Sequence, residues 1–181
     1  MRLLVLLALL LAAPVRAETY SAKGLLSDLR FQLTDDQGRA VSEASFRGQA
    51  VALYFGYSGC GDACPLTLTR LVGAVRTLGP DAAKVRVLFV TVTPDIDRPA
   101  VLRAYLAQYG CGCMTGLTGA GGEALARRLR AAWPVLSDDP PVHGTAVYIF
   151  DRQGRATAMV TAGGDEGELT TALKAALHDR S

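Results

Sequence analysis

Tyr54–Leu71 reads YFGYSGCGDACPLTLTRL: an apolar run, two cysteines and a helical pattern in immediate succession. Upstream, Gln49–Tyr57 (QAVALYFGY) is a short unbroken apolar stretch, the pattern of a strand buried on both faces. Downstream, Leu68, Leu71, Val72 and Val75 recur at helical spacing from Pro65 until Gly79-Pro80 stops the pattern. A buried strand feeding a helix, with Cys60 and Cys64 at the turn, is the feature from which the fold is read. Ligands of open α/β sheets gather at such strand ends.

The rest of the chain extends this unit. Leu25–Leu33 reads as an early strand, and the turn cluster Asp35-Asp36-Gln37-Gly38 with a return through Arg39–Val41 makes an N-terminal β-hairpin. Lys84–Val92 (KVRVLFVTV) is a second buried strand. DRPAVLRAYLAQYG (97–110) reads as a helix with Asp97 as its N-cap, Pro99 in its first turn and Gly110 past its end. A glycine-rich loop leads to a third helix over Glu123–Ala132. TAVYIF and ATAMVTA flank the turn Asp151-Arg152-Gln153-Gly154, and Glu166–His178 is a closing helix. Strands alternating with helices predict an α/β fold, a central mixed β-sheet flanked by helices, of thioredoxin-like order.

The chain has 181 residues, half of them hydrophobic and a fifth charged, a composition suited to one well-buried core. Met1-Arg2, a Leu/Ala run over Leu3–Ala13 and small residues at Val15 and Ala17 predict a secretory signal spanning 1–17, with one domain over 18–181. The apolar run is shorter than the ~20 residues of a spanning helix, so the mature chain is expected to lack a stable membrane span. Cleavage would remove Arg2 and Arg16 and no acid, so the 19 basic residues would fall by two and balance the 17 acidic ones. That neutrality excludes an electrostatic case for nucleic acid. The expected compartment is the periplasm, where the four cysteines could form disulfides.

At a strand-to-helix turn, unpaired N–H groups and the helix dipole favour a thiolate. Residues four apart on a helix share a face, so Cys60 and Cys64 could aim both sulfurs at one centre. Two thiolates suit Cu(I) and, less selectively, Zn; the same pair could close as a disulfide switch or a structural staple. A metal needs a further ligand, and the chain has two histidines. His178, at the end of the last helix, is placed to complement the dipole. His143, before the strand in DDPPVHGTAVYIF, reads equally well as a ligand or as an ordinary loop histidine.

Four stretches, YFGYSGCGDACPLTLTRL, VRVLFVTVTPDIDRPAVLRAYLAQYG, GLTG and VHGTAVYIFDRQGR, occur in this order. Their combination resembles the Sco/SenC family of copper-binding, thioredoxin-fold assembly factors for cytochrome c oxidase. The most specific element is the C-x-x-x-C-P segment joined to a distant histidine before a strand. The resemblance implies copper, as Cu(I) or Cu(II), as the bound cofactor, with Cys60, Cys64 and His143 as its ligands. It also implies a copper-receiving partner, either a cytochrome c oxidase subunit or another copper chaperone, and a monomer is expected. Thr93 stands where the family carries the first Asp of a V-D-P-x-x-D-x-P stretch, while Asp97 and Pro99 keep the remainder.

Cys111-Gly112-Cys113-Met114 lies where the family does not usually place cysteines. This loop could hold a local disulfide, exchange disulfides with Cys60/Cys64, or bind a second Cu(I) through Cys111, Cys113 and Met114. A direct Cys111–Cys113 bridge closes a very small ring, which predicts a reducible bond. The leading expectation is therefore a periplasmic copper chaperone. The alternative is a thiol–disulfide oxidoreductase that reduces cysteines of a copper-receiving partner, with Cys60 as attacking thiol. A peroxidase-like reading lacks the expected threonine, since Tyr57 occupies its position. Gly119–Gly122 lacks the Lys and Ser/Thr of a phosphate loop.

Overall fold

The computed structural model describes residues 19–130, 146–161 and 164–179. The predicted signal (1–17) and His143 lie outside the described residues. Among them the strands form one eight-stranded mixed sheet: β1 (Thr19–Ser21), β2 (Gln32–Asp35), β3 (Ala40–Ser42), β4 (Ala50–Gly56), β5 (Val85–Thr91), β6 (Met114–Thr118), β7 (Val147–Phe150) and β8 (Ala156–Val160). The helices are α1 (Ala63–Thr77), α2 (Pro99–Ala107), α3 (Gly121–Arg130) and α4 (Glu166–His178). The spatial order is β1-β8-β7-β4-β5-β6-β2-β3, with β4, β5 and β6 parallel and the other pairings antiparallel.

The central strands are buried on both faces, and their side chains alternate between two cores. On β4, Ala50, Ala52 and Tyr54 join Leu68, Leu71 and Val75 of α1 and Leu169 and Leu173 of α4. Val51, Leu53 and Phe55 point the other way, to Leu125 and Leu129 of α3 and to Leu29 and Phe31 of the N-terminal segment. This places the sulfur-bearing α1 over one face of the strand that leads into it.

The N-terminal hairpin is present, but its first strand is shorter than expected and begins at Gln32. Leu29, Phe31 and Leu33 are buried in the alternation a strand would show, whereas Leu26 is out of that period. The backbone bonds of Leu29 and Phe31 go elsewhere: the Leu29 N–H donates to the Gly154 carbonyl and the Phe31 N–H to Glu43 Oε2. Two further strands escaped the sequence reading. β1 is a short edge strand on β8, and β6 begins at Met114, inside the presumed glycine-rich loop. That loop's glycines also open α3 two residues early, where a Cβ on Gly121 would lie 2.7 Å from the Gln32 carbonyl oxygen.

The two hairpins turn on the same five-residue pattern, Asp35-Asp36-Gln37-Gly38-Arg39 and Asp151-Arg152-Gln153-Gly154-Arg155. In each, the buried aspartate accepts the N–H groups of the residues two and four later, and its second oxygen accepts the arginine Nε at 2.7 Å. Gly38 (φ 81°) and Gly154 (φ 80°) supply the left-handed conformation that closes the turn.

Candidate metal centre

The chain leaves β4 at Gly56, and Tyr57–Asp62 bring it over into α1. α1 begins at Ala63, two residues earlier than the start expected at Pro65; Asp62 occupies the N-cap position, but its side chain makes no capping bond. The Cys64 N–H, one of the orphan donors of the first turn, donates instead to Cys60 Sγ at 3.3 Å. Both cysteines are free thiols; Cys60 is half-buried and Cys64 buried. The structure therefore brings the two predicted sulfur ligands together at the predicted strand end.

Cys64 sits in a closely fitted niche. The Tyr54 hydroxyl, itself fully buried, donates to Cys64 Sγ at 3.6 Å. Gly56 leaves the space that the sulfur occupies: a Cβ there would lie 2.9 Å from Cys64 Sγ and 2.7 Å from the Phe89 ring. The sequence led us to expect a thiolate favoured by the helix end, and for Cys64 the structure corrects this. Burial, with the neighbouring Cys60 side chain, pushes its thiol up to about 11, against the smaller opposing pull of Tyr54 and the Tyr57 backbone.

The loop carrying Cys60 is anchored by Asp97, read from sequence as the cap of α2. Arg98 takes that position, and the Asp97 carboxyl turns inward, fully buried. It accepts the Ser58 N–H at 3.1 Å, the Ser58 hydroxyl, the Thr91 hydroxyl at 2.5 Å and the Thr93 hydroxyl at 3.2 Å. One side chain thus ties the Cys60 loop to the ends of β5 and to the approach to α2. Thr93, the departure from the family pattern, belongs to this network. Tyr54, Gly56, Ser58 and Asp97 were missed as site residues; the DxP spacing around Asp97 was the only signal, and it reads equally as a helix start.

Cys111 and Cys113 form a disulfide, and Met114 is a half-buried residue of β6 rather than part of a flexible loop. These residues stand at the start of β6, whereas Cys60 and Cys64 follow the end of β4. His178 ends α4, the helix-terminal place read for it from the sequence. Four of the six exposed large apolar side chains among the described residues lie just past the ends of β4 and β5 or in the first turn of α1: Tyr57, Leu66, Val92 and Ile96. Among the described residues no group of three or more His, Cys, Asp or Glu side chains could hold a metal ion.

The SCO1/SenC family model matches residues 21–178. The chain belongs to the SCO1/SenC family. The bovine mitochondrial SCO2 homolog is 33% identical over 154 residues, covering 80% of this chain and 57% of that protein. The chain spans a little over half the length of the curated mammalian relatives it matches. Among solved structures, Bradyrhizobium japonicum ScoI with copper bound is 31% identical with a TM-score of 0.66, covering 83% of this chain and 99% of that one. Yeast Sco1 with copper bound is 28% identical with a TM-score of 0.67, covering 82% and 89%. The thioredoxin-like Sco fold expected from sequence is thus the fold observed.

Proposed function

We propose that this SCO1/SenC protein is a copper chaperone that holds one copper ion through Cys60, Cys64 and His143. It would deliver that ion during assembly of cytochrome c oxidase or a related cuproprotein. The observation that carries this reading is the Cys60–Cys64 pair, two free thiols joined by an N–H···S bond at the end of β4. Copper-bound relatives of the same fold support it. Two soft sulfurs suit Cu(I), and an imidazole would widen the site to Cu(II). The half-buried Cys60 would leave the ion open to ligand exchange, and the exposed Tyr57, Leu66, Val92 and Ile96 past the ends of β4 and β5 and in the first turn of α1 would help to seat the recipient. A secretory segment at 1–17 would place the protein in the periplasm.

A second reading rests on the unequal burial of the two sulfurs. An accessible Cys60 and a buried Cys64 form the attacking and resolving pair of a thiol–disulfide reductase for the copper recipient. Titration with Cu(I) and Cu(II), read by stoichiometry, competition affinity and absorption spectrum, separates the roles. Copper delivery requires one equivalent bound, with Cu(II) binding weakened by His143→Ala. Unchanged stoichiometry, affinity and spectrum in that variant would remove His143 from the site. Rapid turnover of a disulfide substrate with negligible copper affinity would favour the reductase.

A further inference from the structure

The second cysteine pair is remote from the first. Met114 pairs with Val87, which pairs with Ala52, whereas the Cys60 loop leaves β4 after Gly56. The offset is four strand residues, about 13 Å, plus two strand spacings of ~4.8 Å. Exchange between the two pairs within one molecule, one of the sequence expectations, is incompatible with that separation.

The surroundings of the Cys111–Cys113 bridge are chemically specific. Its Cα atoms are 5.1 Å apart across the single residue Gly112. Both cysteines are half-buried, and Cys111 lies between the exposed Gly110 and Gly112. Arg86 Nη1 donates to the Gly112 carbonyl at 2.7 Å and Arg76 Nη2 to the Gly110 carbonyl at 3.4 Å, so a guanidinium is fastened on each side of Cys111. The Cys113 N–H donates to Cys111 Sγ at 3.3 Å. Cations and N–H donors stabilise a thiolate relative to its thiol. A disulfide whose reduced form is stabilised in this way is the more oxidising one.

We infer that Cys111–Cys113 is a redox centre in its own right, an oxidant for the dithiol of a partner protein. A partner thiolate attacks Cys113 Sγ; the new bond is a mixed disulfide, and the Cys111–Cys113 bond breaks. The electron pair leaves on Cys111, whose Sγ accepts the Cys113 N–H and whose neighbouring carbonyls, Gly110 and Gly112, carry the two guanidinium charges. The partner's second thiolate then attacks its own sulfur in the mixed disulfide and expels Cys113. The partner dithiol has lost two electrons and two protons and become a disulfide; Cys111 and Cys113 have gained both. A monothiol would stop at the mixed disulfide, so the substrate class is a paired-cysteine protein. None of this rests on copper binding at Cys60 and Cys64.

The full chain carrying Cys60→Ser and Cys64→Ser isolates the pair. Mixed with excess reduced synthetic peptide bearing two cysteines two residues apart, it is expected to yield one peptide disulfide and two protein thiols per chain. Mass spectrometry after alkylation reads both. In glutathione redox buffers, Arg86→Gln should shift the equilibrium about tenfold toward the disulfide, and Arg86→Lys should recover most of that shift. Arg76→Gln, on the exposed face of α1, should shift it the same way without threatening the fold, as circular dichroism would verify. A bridge that stays closed under excess peptide, yet is reduced once the chain is unfolded in guanidinium, is a structural link and overturns the inference. So does an equilibrium that neither arginine substitution moves. Stoichiometric tight Cu(I) binding by the reduced pair, without peptide oxidation, would make it a metal site and also overturn it.

Discussion

Cys60 Sγ accepts the backbone N–H of Cys64, so the first cysteine caps the helix that carries the second. Asp62, the residue at the cap position, leaves that task undone. Cap and ligand are therefore separable by substitution. Cys60→Ser keeps an acceptor for the N–H, whereas Cys60→Ala removes it at a cost of about 1 kcal/mol. Both should abolish two-sulfur copper binding, but only the alanine should lower the urea midpoint. Equal midpoints for the two variants would show that the N–H···S bond contributes nothing to the fold.

Metal-free protein should react with iodoacetamide at Cys60 first, because Cys60 is half-buried and Cys64 only 4% exposed. Burial raises the Cys64 thiol to about 11, and the reactive species is the thiolate. Its alkylation rate should therefore keep climbing with pH up to that value. Tyr54→Phe removes a hydrogen bond that favours the thiolate, so it should slow the reaction further at pH 9. A folded-state value raised above the ~8.5 of a free thiol also stabilises the fold below pH 8.5, a contribution lost as pH rises toward 11. Peptide mapping of the alkylated chain follows both sites; Cys64 labelling ahead of Cys60 would contradict the burial.

Gly56→Ala should displace Cys64. The added Cβ meets Cys64 Sγ at 2.9 Å and Phe89 at 2.7 Å, and overpacking of this kind costs about 1–3 kcal/mol. Gly61→Ala meets nothing within 4 Å and is the control. Thermal unfolding and Cu(I) competition should both single out Gly56; matching behaviour of the two variants would mean that the niche is not formed as described.

Asp97→Asn keeps the shape of the anchor but replaces one acceptor oxygen with a donor. At least one of the Ser58, Thr91 and Thr93 donors is then left unpaired, at about 1–3 kcal/mol for a buried group. We expect a lower unfolding free energy, with copper affinity weakened because the Cys60 loop loses its tie. Arg98→Ala, next to it but outside the network, should leave copper affinity unchanged. Intact affinity in Asp97→Asn would limit the residue to a role in stability.

Much of this was legible in the chain itself. An uninterrupted apolar run marks β4, and one broken only by Arg86 marks β5, because a strand covered on both faces has little polar side to display. Helical spacing marks α1, because such periodicity acts within one or two turns; α4 was legible as Glu166–His178, while its Asp165–Glu168 capping box is seen only in the structure. The two cysteines announce their meeting by being four residues apart at a helix start. What the chain alone left undecided depends on groups distant in sequence. Asp97 looked like a helix cap because its true partner, Ser58, is 39 residues away. β6 was read as loop because its ladder lies on β5 and β2, and glycine-rich sequence carries no periodicity of its own. The separation of the two cysteine pairs follows from strand order and register, which are settled only when the sheet assembles. Local chemistry thus chose the sulfurs, and long-range pairing decided which of them meet.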